Sequence, residues 1–238
     1  MIMNNETRKI LCVIPARGGS KGIPRKNIKP LNGKPLIEYT IDVARQVLPD
    51  EHICVSTDDD EIIRVVENYD LNVPFKRPME LATDTSGTYE VLLHALSYYE
   101  SIGREYDVIL LLQTTSPFRT ASQVQTALSL YNSGIDMIVS VTETKSNPYY
   151  NVFEEDVNGF LKISKGDGTF IRRQETPKVW EYNGAIYVIN VESLKRMPLG
   201  KFLKRKKFVM DASHSIDLDT LLDWHVAEVM LKNNLVKL

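Results

Sequence analysis

An α/β fold built on a Rossmann-like, mostly parallel, doubly wound sheet is what this sequence predicts, and three observations carry the prediction. Short continuous apolar runs at 10–15, 53–57, 108–112, 137–141 and 185–189 have the length of strands buried on both faces. Segments with apolar residues at helical spacing stand between most of them. The first run, Ile10-Leu11-Cys12-Val13-Ile14-Pro15, then delivers a glycine-rich, cationic loop, which is where such sheets gather ligands.

Taken in order, 35–47 places Leu36, Ile37, Tyr39, Thr40, Ile41, Val43 and Ala44 on a helix, with Pro35 suited to its first turn. The strand at 53–57 leads into Asp58-Asp59-Asp60-Glu61, whose acids complement the positive end of the next helix. A short extended piece at 73–75 follows. Residues 85–99 are predicted helical with Val91, Leu92, Ala95 and Leu96 inward, and 108–112, the most apolar strand, should lie centrally. Thr120 and Gln123 fit a capping box opening a helix that runs to about Tyr131.

After Thr142 the alternation breaks. Residues 143–182 hold polar, aromatic and turn-rich text, including Val157-Asn158-Gly159 and Lys165-Gly166-Asp167-Gly168, which predicts an inserted β-rich subdomain with hairpins. The chain thus divides into an α/β domain, 1–142 and 183–238, and the insertion. A core strand resumes at 185–189, and a last helix over 221–232 is predicted to bury Leu222, Val226, Val229 and Met230.

The 238 residues are 43% hydrophobic and carry a formal charge of −2, which argues against a nucleic-acid partner. The basic run at 201–207 therefore reads as a solvated loop. Cys12 and Cys54 sit in apolar runs and read as small buried side chains in a reducing compartment. No apolar run approaches ~18 residues and no secretory h-region opens the chain, so no membrane association and a cytoplasmic location are expected. The four histidines show no metal-ligand spacing.

The loop Ala16-Arg17-Gly18-Gly19-Ser20-Lys21-Gly22-Ile23-Pro24-Arg25-Lys26-Asn27 is built for a polyanion. Its glycines, Gly18 among them, bring backbone N–H groups close to a ligand, and its cations supply charge and fork-shaped donors. Arg17 and Lys26 are the candidates for neutralising a nucleoside triphosphate, with Lys21 doing the same or anchoring the loop. No Walker motif is present. Gly18 to Gly22 spells G-x-S-x-G, but Pro24 forbids the immediate helix that a nucleophile elbow needs. Asp217 and Asp219, two apart in an extended segment, would face one spot, and paired carboxylates suit Mg²⁺ or Mn²⁺ bridging to phosphates. The bland alternative has Asp219 capping the last helix.

The loop, continuing into Ile28-Lys29-Pro30-Leu31-Asn32-Gly33-Lys34-Pro35-Leu36, resembles the opening signature of the acylneuraminate cytidylyltransferases, or CMP-sialic acid synthetases. Further blocks recur in that family's order: Val55-Ser56-Thr57-Asp58, Arg77-Pro78, Leu112-Gln113-Thr114-Thr115-Ser116-Pro117, Asn183-Gly184-Ala185-Ile186-Tyr187 and Ser215-Ile216-Asp217-Leu218-Asp219. The resemblance implies transfer of CMP from CTP to a nonulosonic acid (N-acetylneuraminate, legionaminate or pseudaminate) with release of pyrophosphate. It also implies a homodimer joined through the insertion, which reaches over the partner's active site. By it, Asn27 contacts the nucleotide, Arg77 and the backbone near Ser86 recognise cytosine with Thr88 close by, and Gln113 and Tyr187 line the sugar pocket. Arg172, in an Arg-Arg-Gln element, would reach a sugar carboxylate or phosphate. Asp217 and Asp219 bind the metal, and Asp217 helps deprotonate the attacking hydroxyl. Arg25 is expected to be a bystander.

Overall fold

The computed structural model describes residues 8–83 and 87–238. In chain order it contains β1 (Ile10–Pro15), a two-residue ribbon of β2 (Pro30–Leu31) and β3 (Lys34–Pro35), α1 (Leu36–Arg45), β4 (Ile53–Ser56), α2 (Asp60–Asn68), α3 (Thr88–Ser101), β5 (Val108–Leu111), α4 (Ala121–Ser129), β6 (Met137–Glu143), β7 (Phe153–Glu155), β8 (Leu161–Ile163), β9 (Trp180–Asn190), α5 (Val191–Arg196), β10 (Arg205–Val209) and α6 (Leu221–Lys232). Six strands form the main sheet in the order β10-β6-β9-β5-β1-β4. Five of them run the same way, and β9 alone is antiparallel to its neighbours.

The sheet is covered on both faces. Ile37 and Ile41 of α1, Ile62 and Val66 of α2 and Val124 of α4 pack on one. Leu92 and Leu96 of α3 and Leu194 of α5 pack on the other. β5 lies in the interior with all four residues buried, as a continuous apolar run requires. Asp59 caps α2, and Thr120 with Gln123 forms the reciprocal box that opens α4.

Two expectations need correction. The basic run at 201–207 is not all loop: Arg205 to Val209 is an edge strand paired in parallel with β6. Lysine-rich edges blunt strand-to-strand association, so charge and strand structure are compatible there. In α6 the inward residues are Trp224 and Ala227, with Met230 partly buried, while Leu222 is 72% exposed and Val226 and Val229 are also exposed. That helix is apolar around most of its circumference, so its period left the buried face ambiguous, and the bulky indole decides it. Trp224 packs in a third cluster with Ile23, Leu31, Phe118 and Leu218.

Between β6 and β9, β7 and β8 pair as a separate antiparallel hairpin, turned by Gly159. Among the described residues, no helix is long and apolar enough to cross a membrane. Cys12 and Cys54 are buried and unbridged.

Candidate active site

The loop after β1 is pinned at three places. The Gly18 amide donates to Asp58 Oδ1 at 3.2 Å. Arg25 holds a left-handed backbone conformation and sends its guanidinium to both oxygens of Asp59, at 2.6 and 2.9 Å, and to Glu61. Far from a bystander, it ties the loop to the start of α2. This pair holds the Asp59 carboxyl down at about 2, with backbone N–H groups of α2 contributing. Asn27 is buried, donates to the Arg17 carbonyl at 2.9 Å and accepts from Thr114 Oγ1 at 2.6 Å. The loop leads into bends and a short 3-10 turn rather than a helix, so it is no nucleophile elbow.

The acidic pair arrives from the other end of the chain. Leu218 is fully buried between the loop and α6, which turns Asp217 and Asp219 toward the same cleft. The helix cap is supplied by Thr220 with Asp223, so Asp219 is not spent on it. Asp217 accepts from the Thr115 hydroxyl, and the Leu218 amide donates to the Thr115 carbonyl at 2.8 Å. Burial pushes the Asp217 carboxyl up, and nearby Asp219 adds to the effect.

Loop and acids meet directly. Lys26 Nζ donates to the Leu218 carbonyl at 2.6 Å and stands 3.3 Å from Asp219 Oδ1. A Cβ at Gly22 would lie 2.1 Å from the Asp219 carbonyl oxygen, so only glycine permits this approach. Arg17, Gly19, Ser20, Lys26, Asn27, Gln113, Thr115, Asp217 and Asp219 thus line one cleft of about 310 Å³. Lys21 is exposed on the loop and does not line that cleft.

Two smaller hollows adjoin it. One, about 220 Å³, is shared by Arg17, Arg77, Thr83, Thr88 and Val91. Arg77 is buried there, paired with Asp58 at 3.2 Å, and its Nε has no partner. Ser86 lies outside the described residues. The other, also about 220 Å³, is bounded by Thr88, Gln113, Tyr182, Tyr187 and Arg205 over a floor of Leu111, Met137 and Leu199. Burial pushes the Tyr187 hydroxyl up to about 12, with Asp217 contributing. Arg172 is exposed at the start of a 3-10 turn in the insertion and lines none of these hollows, and Arg173 donates to the Thr144 carbonyl.

The irregular half of β9 makes room for all of this. Its pairing with β6 shifts register between Val139 and Val141. Gly184 sits at φ +72°, and a Cβ there would be 2.8 Å from Gln113 Oε1 and 2.9 Å from Ser116 Oγ. Asn183 accepts from Ser140 Oγ at 2.5 Å and donates to Ser215 Oγ at 2.9 Å, tying the bulge to the segment that carries the acids. Sequence reasoning missed Arg119, a fully buried side chain that donates to Thr40 Oγ1 and to the Gln113 carbonyl. Its only signal was an arginine directly after the apolar Phe118.

A sequence profile described as "Cytidylyltransferase" matches residues 11–225, which includes every element of the cleft. The chain belongs to the cytidylyltransferase family. Within it, the chain is 34% identical to a CMP-N,N'-diacetyllegionaminic acid synthase of Legionella pneumophila, over 95% of this chain and 97% of that protein. It is also 34% identical to an N-acylneuraminate cytidylyltransferase of Escherichia coli, over 92% of this chain and 51% of that one. The fold matches a solved CMP:2-keto-3-deoxy-manno-octonic acid synthetase complexed with CTP, with TM-score 0.69, 18% identity and coverage of 95% and 99%. The loop follows β1 and Gln113 follows β5, so both meet the acids at the carboxyl ends of interior strands of the sheet.

Proposed function

We propose that the protein transfers CMP from CTP to a nonulosonic acid, of the legionaminate type, and releases pyrophosphate. The observation that carries this is the convergence of the cationic loop and the acidic pair on one cleft, with a buried arginine at one side and an apolar hollow at the other. The full-length likeness to a diacetyllegionaminic acid synthase supports the choice of acceptor. So does the floor of Leu111, Met137 and Leu199, which suits acyl and methyl substituents better than hydroxyls.

In this reading Arg77 and Thr88 hold the cytosine, Gly18 and Asn27 fix the nucleotide, and Arg17 and Lys26 neutralise the triphosphate as charge builds on the leaving pyrophosphate. Lys21, exposed on the loop, adds positive charge for the triphosphate. Gln113 and Tyr187 orient the sugar acid so that its anomeric hydroxyl meets the α-phosphorus in line. Asp217 is placed to take that hydroxyl's proton.

The donor set also suits a divalent metal. Asp217 and Asp219 are hard oxygen donors on one cleft, and no cluster of three or more His, Cys, Asp or Glu side chains assembles among the described residues. Two carboxylates plus substrate phosphates is the arrangement Mg²⁺ favours. Bound there, Mg²⁺ or Mn²⁺ would supply Lewis-acid polarisation of the α-phosphate.

The working unit we propose is a cytoplasmic homodimer in which 143–182 forms a separate subdomain. Val157, Phe160, Leu161 and Ile171 are exposed on that excursion, and a second chain would cover them and bring Arg172 to the partner's cleft. Pyrophosphate release with CTP and Mg²⁺, measured for N,N'-diacetyllegionaminate, N-acetylneuraminate, pseudaminate and Kdo in parallel, tests the reading. Highest kcat/KM with the legionaminate is expected; inactivity with all four would defeat the proposal.

A further inference from the structure

A guanidinium buried with no carboxylate hydrogen-bonded to it is costly, and Arg119 is such a group, with the Asp217 carboxylate acting on it through space. The residue is 0% exposed, and its Nε has no hydrogen-bond partner. Burial lowers it to about 9, still above neutrality, so the charge persists where it stands. A hydrophobic side chain of similar volume would fill the space at smaller cost. Orphaned buried donors of this kind call for a role beyond packing.

Its two bonds locate that role. Nη1 donates to Thr40 Oγ1 of α1 at 2.9 Å, and Nη2 donates to the backbone carbonyl of Gln113. Gln113 lies beyond the β5 ladder, which ends with Leu111 opposite Tyr187, so its carbonyl has no strand to pair with. Above it, the Gln113 side chain passes over Gly184, where a Cβ would be 2.8 Å from Oε1. The residue shared by the cleft and the apolar hollow is therefore held from below by a rigid fork and from above by close packing. A planar guanidinium can span a helix and a strand end at once, which a lysine ammonium on a flexible stem does less well.

We propose that Arg119 is a positioning residue for the acceptor side of the reaction, fixing the backbone of Gln113 against α1 so that its amide meets the sugar acid. The inference rests on the functional reading above, in which Gln113 contacts that acid. It separates from a purely structural role because two of the nucleotide contacts, Arg77 and Gly18, are held by Asp58 instead.

Arg119→Met and Arg119→Lys would be compared with wild type in three measurements. These are KM for the best acceptor of the four-acid panel and for CTP, thermal melting, and amide hydrogen exchange over 110–118. For Arg119→Met we expect an acceptor KM raised about tenfold or more, a CTP KM within about twofold of wild type, and faster exchange at 112–116 with melting little changed. Arg119→Lys should recover part of the acceptor KM, and it carries the same test if Arg119→Met does not fold. Equal rises in both KM values that track a lowered melting temperature would overturn the proposal. Unchanged exchange at 112–116 would do the same. A wild type inert toward all four acids would sink the functional reading, while the exchange result would still decide whether Arg119 holds Gln113.

Discussion

At the Arg77 end of the cleft the polar atoms are wired to one another, whereas at the Gln113 end the walls are aliphatic and aromatic. Asp58 links the Gly18 amide to the Arg77 guanidinium, and Arg25 links the loop to Asp59. The hollow at Gln113 has Leu111, Met137, Leu199 and two tyrosines around it. A wired polar end rejects any ligand that leaves its buried groups unpaired, by roughly 10⁴-fold or more. An apolar end separates neighbours by only about 1–3 kcal/mol per methylene. The nucleotide should therefore be a strict choice and the acceptor a permissive one, which accords with relatives that share this fold yet carry names for different sugar acids.

The comparison can be broken most sharply between the two ends. Asp217→Asn should lower kcat/KM on the order of 10³-fold with every acceptor, because the charge that serves the transferring phosphate is gone. Its stability should move the other way. The Asp217 carboxyl is raised in the folded protein, so the metal-free protein loses stability as pH rises through that raised value, and the amide removes the loss. Melting of the metal-free variant at neutral pH should match or exceed wild type; a clear drop would contradict this account of the burial.

Gly22→Ala forces the loop off the Asp219 carbonyl. A displacement of about 1 Å should cost about 10²-fold in kcat, read in steady state with saturating substrates. Asp58→Ala leaves Arg77 buried without its carboxylate and should raise the CTP KM about tenfold while sparing the acceptor KM. A shift confined to the acceptor would reverse our assignment of the two ends. Leu199→Ala should alter the ranking of acceptors by only a few fold, measured as ratios of kcat/KM across the panel.

The smallest effect concerns the anchor outside the cleft. The Asp59 carboxyl is held at about 2, below its ordinary 3.8, so its contribution is present above about pH 4 and is lost as pH falls toward 2. Arg25→Ala should remove about 1 kcal/mol at neutral pH, since the pair is partly exposed, and the difference from wild type should shrink in acid melts.

What could be read from the sequence was whatever depends on neighbours along the chain. β1, β4, β5 and β6, the cap at Thr120 and the loop's chemistry all follow from local pattern, and the alternation of Asp217, Leu218 and Asp219 set their facing. The strand at Arg205 was hidden because an edge position tolerates lysines that a buried strand would not. The inward face of α6 was hidden because apolar residues surround that helix. The bond from Arg119 to Thr40 and the Gly22–Asp219 contact were out of reach for a different reason: each joins residues distant in sequence, and no local period encodes such a meeting.

The junction of the loop with the acidic segment has a consequence for how the protein is made. The Lys26 ammonium closes on a carbonyl 192 residues further along the chain. A polypeptide still emerging from the ribosome can assemble β1, β4 and β5 around their helices, but its triphosphate cradle stays unfinished until the segment just before α6 has been synthesised. Nucleotide capture should thus be among the last properties the nascent enzyme acquires, and a chain terminated near residue 210 should be folded in part yet deaf to CTP.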